Sequence, residues 1–234
     1  MTAKAESPYS CVSGLYSLSH STALQLTAGW LGPRLNVTGS YVLSRSEGNY
    51  TGQFDSDAGV TNPGNFLSLQ LESQGINSTG LLPNDRTHAF KLSGSYRFDF
   101  GLDLGTFFVW QSGTPLNEFG ATGLFRPIFL VERGSAGRTR SIWDLSLRFA
   151  YDLHGLFRTG PSSRIILDVL HLGSQREPAW VDQQKYLTVD PELANVTSSY
   201  EELVAAQILP NPGFGSPLRN QLPMMVRLGI VVGF

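Results

Sequence analysis

Three observations predict an all-β chain whose antiparallel strands belong to a transmembrane β-barrel. Charged residues make up only 15% of the 234-residue chain, against about 25% in ordinary soluble domains, so something other than a charged surface must face the surroundings. Segments of about ten residues alternate apolar and polar side chains with the two-residue period of a strand that has two unlike faces. The connections between these segments alternate between short and long, the asymmetry of outer-membrane barrels with short periplasmic turns and long extracellular loops.

The same composition excludes several classes. A formal net charge of -2 without a Lys/Arg cluster gives no phosphate-binding surface, so nucleic acid is set aside. Cys11 is the single cysteine and can form neither an internal disulfide nor a cysteine-based zinc site. No apolar run approaches the roughly 18 residues of a membrane helix. Residues 1–10 lack the basic and apolar regions of a secretory signal. A barrel strand set without such a signal is expected to have lost its beginning. Residues 1–22 therefore read as a loop or the end of a missing upstream strand, and residues 23–234 as barrel.

About seven strands are legible, in order. In 23–30, Leu24, Leu26, Ala28 and Trp30 share a face, and Gly32-Pro33 turns the chain into 34–44, where Leu35, Val37, Tyr41 and Leu43 alternate with Asn36, Thr38 and Ser40. The third is the cleanest: Phe90, Leu92, Gly94, Tyr96 and Phe98 against Lys91, Ser93, Ser95, Arg97 and Asp99. After Gly101, segment 102–111 sets Leu104, Thr106, Phe108 and Trp110 against Asp103, Gly105 and Gln111. Segment 142–153 opposes Trp143, Leu145, Leu147, Phe149 and Tyr151 to Asp144, Ser146, Arg148, Ala150 and Asp152. Segment 164–171 carries Ile165, Leu167 and Val169 against Asp168, and 226–234 turns Val226, Leu228, Ile230, Val232 and Phe234 away from Arg227. The long connections, around 45–86, 113–140 and 173–223, are rich in Gly, Asn, Ser, Asp and Pro, which suits solvated surface more than core. One helix is expected, within 192–207.

A soluble or secreted β-sandwich binding module would also alternate, so the polar face decides. It mixes small residues with isolated opposite charges, and Lys91, Arg97, Asp99, Asp144, Arg148, Asp152 and Asp168 are the candidates to face a hydrated lumen and pair there. Aromatics sit toward the segment ends, Trp30 and Phe98 by short turns, and Tyr41, Phe90, Trp110 and Trp143 by long loops, as in two interfacial girdles. If Phe234 ends on the periplasmic side, the alternation of short turns and long loops makes the first readable strand run inward, so at least one outward strand should precede it; seven strands cannot close as a standard barrel, and an unpaired edge in hydrocarbon is costly. A small passive barrel assembled from several chains is the remaining alternative.

Several fragments resemble a family. The run Asn84-Asp85-Arg86-Thr87-His88, leading into an alternating strand, and Gln111-Ser112-Gly113-Thr114-Pro115, closing the next one, are similar to a segment of Oar-like TonB-dependent receptors of Gram-negative outer membranes. Ala23-Leu24-Gln25-Leu26 and the stretch from Ser40-Tyr41 to Ser44-Arg45-Ser46 resemble an earlier hairpin of that family, and terminal Phe234 resembles the assembly signal read by the BAM machinery. The resemblance covers most of the chain from about Ala23 onward. It implies the C-terminal part of a barrel of about 22 strands around a plug, in contact with outer-membrane lipid, taking up a large ligand. TonB would be reached only through the plug, and neither plug nor TonB box is recognisable in this chain. One departure stands at Asp168-Val169-Leu170-His171-Leu172-Gly173-Ser174, where the family carries Asp-x-Phe-Asn-Leu-Phe-Asn.

No catalytic, metal or cofactor site is expected, and the chain reads as a non-enzyme. Asp55, Asp57, Asn62 and Asn65 are spaced somewhat like a calcium loop, but Phe66 stands where the twelfth-position carboxylate belongs. His20, His88, His154 and His171 are scattered without metal-ligand spacing. Gly-x-Ser-x-Gly and phosphate-loop patterns are absent. Asn36, Asn49, Asn77 and Asn195 open glycosylation-type triplets, and Asn36 within a strand argues for chance.

Overall fold

A computed structural model describes residues 19–51, 72–122, 127–153, 162–173, 176–189 and 199–233. The calcium-like loop, Cys11, His154, Asn195 and Phe234 lie outside these residues, as does the stretch before Ser19. The elements are β1 (Ser19–Leu31), β2 (Leu35–Gly48), α1 (Glu72–Gly75), β3 (Gly80–Leu81), β4 (His88–Arg97), β5 (Leu102–Gln111), β6 (Phe119–Gly120), β7 (Ile128–Phe129), β8 (Ile142–Asp152), β9 (Ser162–Leu170), β10 (Pro178–Val181), β11 (Tyr186–Val189), α2 (Tyr200–Ala205), β12 (Gln207–Pro210), β13 (Pro217–Asn220) and β14 (Met225–Gly233).

Seven long strands form one antiparallel meander in the order β1-β2-β4-β5-β8-β9-β14, with β3 added beside β2. Every neighbour in the path is its nearest long strand in sequence, so the sheet is built from hairpins alone. The ladder is open, with β1 at one edge and β14 at the other. These are the seven expected strands, extended by a few residues at β1 and β2, unchanged at β5 and shifted by one or two residues elsewhere.

Register is continuous across the sheet and keeps like with like. Leu35, Tyr96, Leu104, Phe149, Leu167 and Leu228 are directly opposed in succession from β2 to β14. So are Tyr41, Phe90, Trp110 and Trp143 from β2 to β8. A slip of one residue in any strand would break each apolar row, which is why two-residue alternation specifies the pairing so strongly. At the short-turn end, Phe98 N–H donates to the Leu102 carbonyl and Gly101 adopts φ +90, a conformation that glycine enters without a Cβ clash. Tyr96, Phe98 and Phe100 stack edge to face and tilted around this turn.

The buried apolar residues do not lie under the sheet. Among the described residues, and apart from Ala150 on β8, they are Leu82, Phe119, Ala121, Ile128, Phe129, Leu203 and Ala206, all in the connections at the long-loop end. This corrects the expectation that those connections are mere solvated surface: Ile128, Leu203 and Ala206 form a small core with Leu130 and Tyr200 packed against it. The signal was hidden because the contributing pieces are two to six residues long and come from loops far apart in sequence. The expected helix within 192–207 is described as α2, six residues capped by Ser199 and Glu202 in a reciprocal capping box. Among the described residues, no helix is long and apolar enough to cross a membrane, which says nothing of strands.

Candidate functional site

Alternation gives the sheet two unlike faces, and the polar one carries the chemistry. Its central row runs Asn36, Ser95, Gly105, Arg148, Asp168, Arg227 from β2 to β14, each directly opposite the next. From Asn36 to Asp168 the row lines an open trough of about 450 Å³, floored by Thr38, Ser93 and Ser146 as well. Phe107 of β5 also stands here, opposite Ser93 and Ser146, and is 46% exposed.

Asp168 anchors the row. Its Oδ1 accepts from Arg148 Nε at 2.6 Å, and its Oδ2 accepts from Arg148 Nη2 at 3.1 Å and from Arg227 Nε and Nη2 at 3.0 and 2.6 Å. The carboxylate is only 4% exposed, whereas the two guanidinium side chains are 55% and 63% exposed. One carboxylate thus holds two cations side by side from the strands flanking its own, Arg148 in the bidentate geometry that suits guanidinium and Arg227 with both donors on Oδ2.

Toward the short turns, a second depression of about 510 Å³ is ringed by charge. Arg34 meets Asp99 at 2.7 Å and Arg97 meets Asp103 at 2.9 Å, while Arg164 lies 3.6 Å from Asp152 and 3.9 Å from Asp103. Toward the long loops, His171 Nδ1 pairs with Asp144 Oδ2 at 2.5 Å. Lys91 shares a row with Ser40, Val109 and Asp144 and has no hydrogen-bond or ionic partner among the described residues. The sequence-derived candidates Lys91, Arg97, Asp144, Arg148, Asp152 and Asp168 share this face, with Asp99 in the turn beyond β4. Arg227, Arg164, Asp103 and Arg34 complete the pairs but were not among the candidates, since partner identity depends on register between strands and not on spacing within one.

Above the long-loop end of the sheet, the two family-like motifs meet. Asp85, almost wholly buried, accepts from the Ser46 amide at 2.7 Å and from Arg138 Nη2 at 2.5 Å. Arg138 Nη1 also reaches the Gly113 carbonyl at 2.9 Å, and Arg86 Nη1 donates to the Ser112 carbonyl at 2.6 Å. Burial pushes the Arg86 guanidinium below its ordinary pKa. His88 and Ser112 exchange backbone and hydroxyl bonds, and Tyr41 Oη lies 2.7 Å from His88 Nδ1. A Cβ on Gly113 would fall 1.7 Å from the Thr139 carbonyl oxygen, so this crossing admits only glycine. The Asn-Asp-Arg-x-His and Gln-Ser-Gly-x-Pro runs are therefore two halves of one clasp that ties three loops to the sheet.

The sequence that builds this sheet and its loops has a similar stretch in a characterised protein. The chain is similar to a TonB-dependent transporter. It is 29% identical over 227 aligned positions to the TonB-dependent transporter Oar of Myxococcus xanthus, an alignment covering 86% of this chain. The chain spans 20% of the length of that relative, so the relationship is distant and concerns a small part of it. No family model matches the chain, and no solved structure matches it significantly.

Higher still, the loops interlock. Asn117, buried, accepts from the Gly134 amide at 2.7 Å, and its own amide donates to Gln183 Oε1 at 2.6 Å. Tyr200 Oη donates to the Phe129 carbonyl at 2.7 Å and accepts from Asn77 Nδ2 at 3.0 Å. With its amide spent in this way, Asn77 is ill placed to carry a glycan.

Proposed function

We propose that the chain is a wall segment of a Gram-negative outer-membrane barrel of the TonB-dependent transporter kind, taking part in uptake of a ligand across that membrane. One observation carries this reading: an apolar sheet face that nothing in the described chain covers. Leu26 and Leu228 are 60% and 69% exposed, and Leu24, Trp30, Val226 and Ile230 are likewise exposed, while the buried apolar cluster sits in the loops. A soluble sandwich buries such a face against a second sheet about 10 Å away, and no second sheet packs there among the described residues. Hydrocarbon is the solvent that accepts it.

In that setting, the paired charges of the opposite face line an aqueous interior, the short turns are periplasmic and the clasped loops are extracellular. The open edges of β1 and β14 require partners, because each unpaired amide in hydrocarbon costs several kcal/mol. Strands alternate in direction along the seven-strand path, so β1 and β14 run the same way. Antiparallel closure therefore takes an odd number of further strands. Those strands and a plug that couples to TonB come from polypeptide upstream of the segment described, with insertion by the BAM machinery.

The test is fractionation. The full-length protein is expected in the outer membrane, extractable only by detergent and running as a heat-modifiable band. Recovery as a detergent-free soluble protein that does not change mobility on heating overturns the proposal.

A further inference from the structure

We infer that the trough on the polar face is an oxyanion site, in which Arg148 and Arg227 together bind a carboxylate. The inference rests on the proposed reading that this face is wetted from within a barrel.

Each guanidinium carries five N–H donors in a planar fork. Arg148 and Arg227 each spend only Nε and one Nη2 hydrogen, both on Asp168. The Nη1 donors of both, and the second Nη2 hydrogen of each, have no acceptor among the described residues. Two cations against one carboxylate also leave a surplus positive charge. Among the described residues, the other carboxylates of the face already have partners of their own: Asp144 shares a hydrogen bond with His171, Asp103 pairs with Arg97 and Arg164, and Asp152 pairs with Arg164.

Asp168 does more than neutralise. Without it, two like charges on alternate strands would splay apart; with it, both forks are held on one carboxylate that lines the trough, Arg148 within the lining and Arg227 beside it on β14. Gly105, directly opposite Arg148, adds no side chain to block the approach. Next to it, Ser95 and Ser93 extend the surface with hydroxyl donors. A donor-rich trough with fixed guanidiniums recognises a planar, two-oxygen acceptor, which a carboxylate supplies in the bidentate mode.

The carboxylate has two sources, a solute in the lumen or an Asp or Glu on polypeptide folded inside the barrel. Both are tested on the full-length protein in detergent with an arginine-directed dicarbonyl, with modification located by peptide mass spectrometry. Arg97 serves as reference, being comparably exposed and held by a single carboxylate.

If a solute is the occupant, Arg148 and Arg227 react at rates near that of Arg97, and millimolar succinate slows them about tenfold while chloride at equal ionic strength does not. If polypeptide is the occupant, both are slow from the start and indifferent to succinate, and a carbodiimide joins the amine of Arg227→Lys to a carboxylate other than Asp168. Fast modification that succinate leaves unchanged overturns the inference, as does slow modification without such a cross-link. Failure of the barrel reading shows separately, as solubility of the same preparation without detergent.

Discussion

Placing an arginine at different depths on the apolar face tests the facing of β4 and β8. Phe90 and Phe98 bracket the apolar positions of β4, and Trp143 and Tyr151 bracket those of β8. Such a stretch runs ~26 Å at ~3.3 Å per residue, or ~20 Å of depth when tilted by ~40°. Leu147 lies midway along β8, and Leu92 lies two positions in from Phe90 on β4. An arginine on a lipid-facing barrel position costs ~2–4 kcal/mol at the midplane and falls toward ~0–1 at the interface. Leu147→Arg is therefore expected near the upper value and Leu92→Arg near the lower, or ~1,000-fold and ~30-fold in the folding equilibrium. Ser146→Arg and Ser93→Arg, one residue away on the trough side, should change it little. The assay is reversible folding of the full-length protein into phospholipid bilayers, titrated with denaturant. Equal tolerance of both members of either pair, or a Leu92 penalty exceeding that at Leu147, would refute the facing and the depth assignment.

The loop layer offers further checks. Arg138→Ala strands the buried Asp85 carboxylate; loss of one partner of a buried pair costs ~3–5 kcal/mol, reduced to ~2–3 because Arg138 is partly exposed, and limited proteolysis should then cut within 113–140 while the strands stay protected. Gly113→Ala forces backbone apart at the Thr139 contact and is expected to cost more than ~1 kcal/mol, read as the same loss of protection. Tyr200→Phe removes the bond to the Phe129 carbonyl and leaves Asn77 short of an acceptor, a loss of ~1–2 kcal/mol seen as faster amide exchange in the loop layer with unchanged exchange in β4 and β5.

The meander was legible in the sequence because each long strand carries its own two-residue alternation, and β5 was read with the bounds the structure gives it, Leu102–Gln111. Strand ends were less legible: β1 starts at Ser19 and β2 continues to Gly48, where polar residues keep the ladder going beyond the apolar face. The loop strands β6, β7 and β10 to β13 left no periodic trace, being two to four residues long and held by partners distant in sequence, such as Asn117 with Gln183. The charges of the polar face could be read strand by strand. Their pairing could not, since Arg227 meets Asp168 only through the register of β14 on β9. The family-like motifs were recognisable as strings, while their purpose, a clasp through Asp85, Arg138 and Gly113, emerges only when three loops converge.

Spin labels walked from 90 to 97 along β4, in a Cys11→Ser background and in lipid vesicles, test the central claim most directly. The account predicts two out-of-phase patterns. Collisions with dissolved oxygen should peak at Phe90, Leu92, Gly94 and Tyr96, and collisions with a water-soluble nickel chelate at Lys91, Ser93, Ser95 and Arg97. Apolar positions shielded from both relaxing agents would mean a packed protein core beneath that face, and would contradict a strand standing between lipid and water.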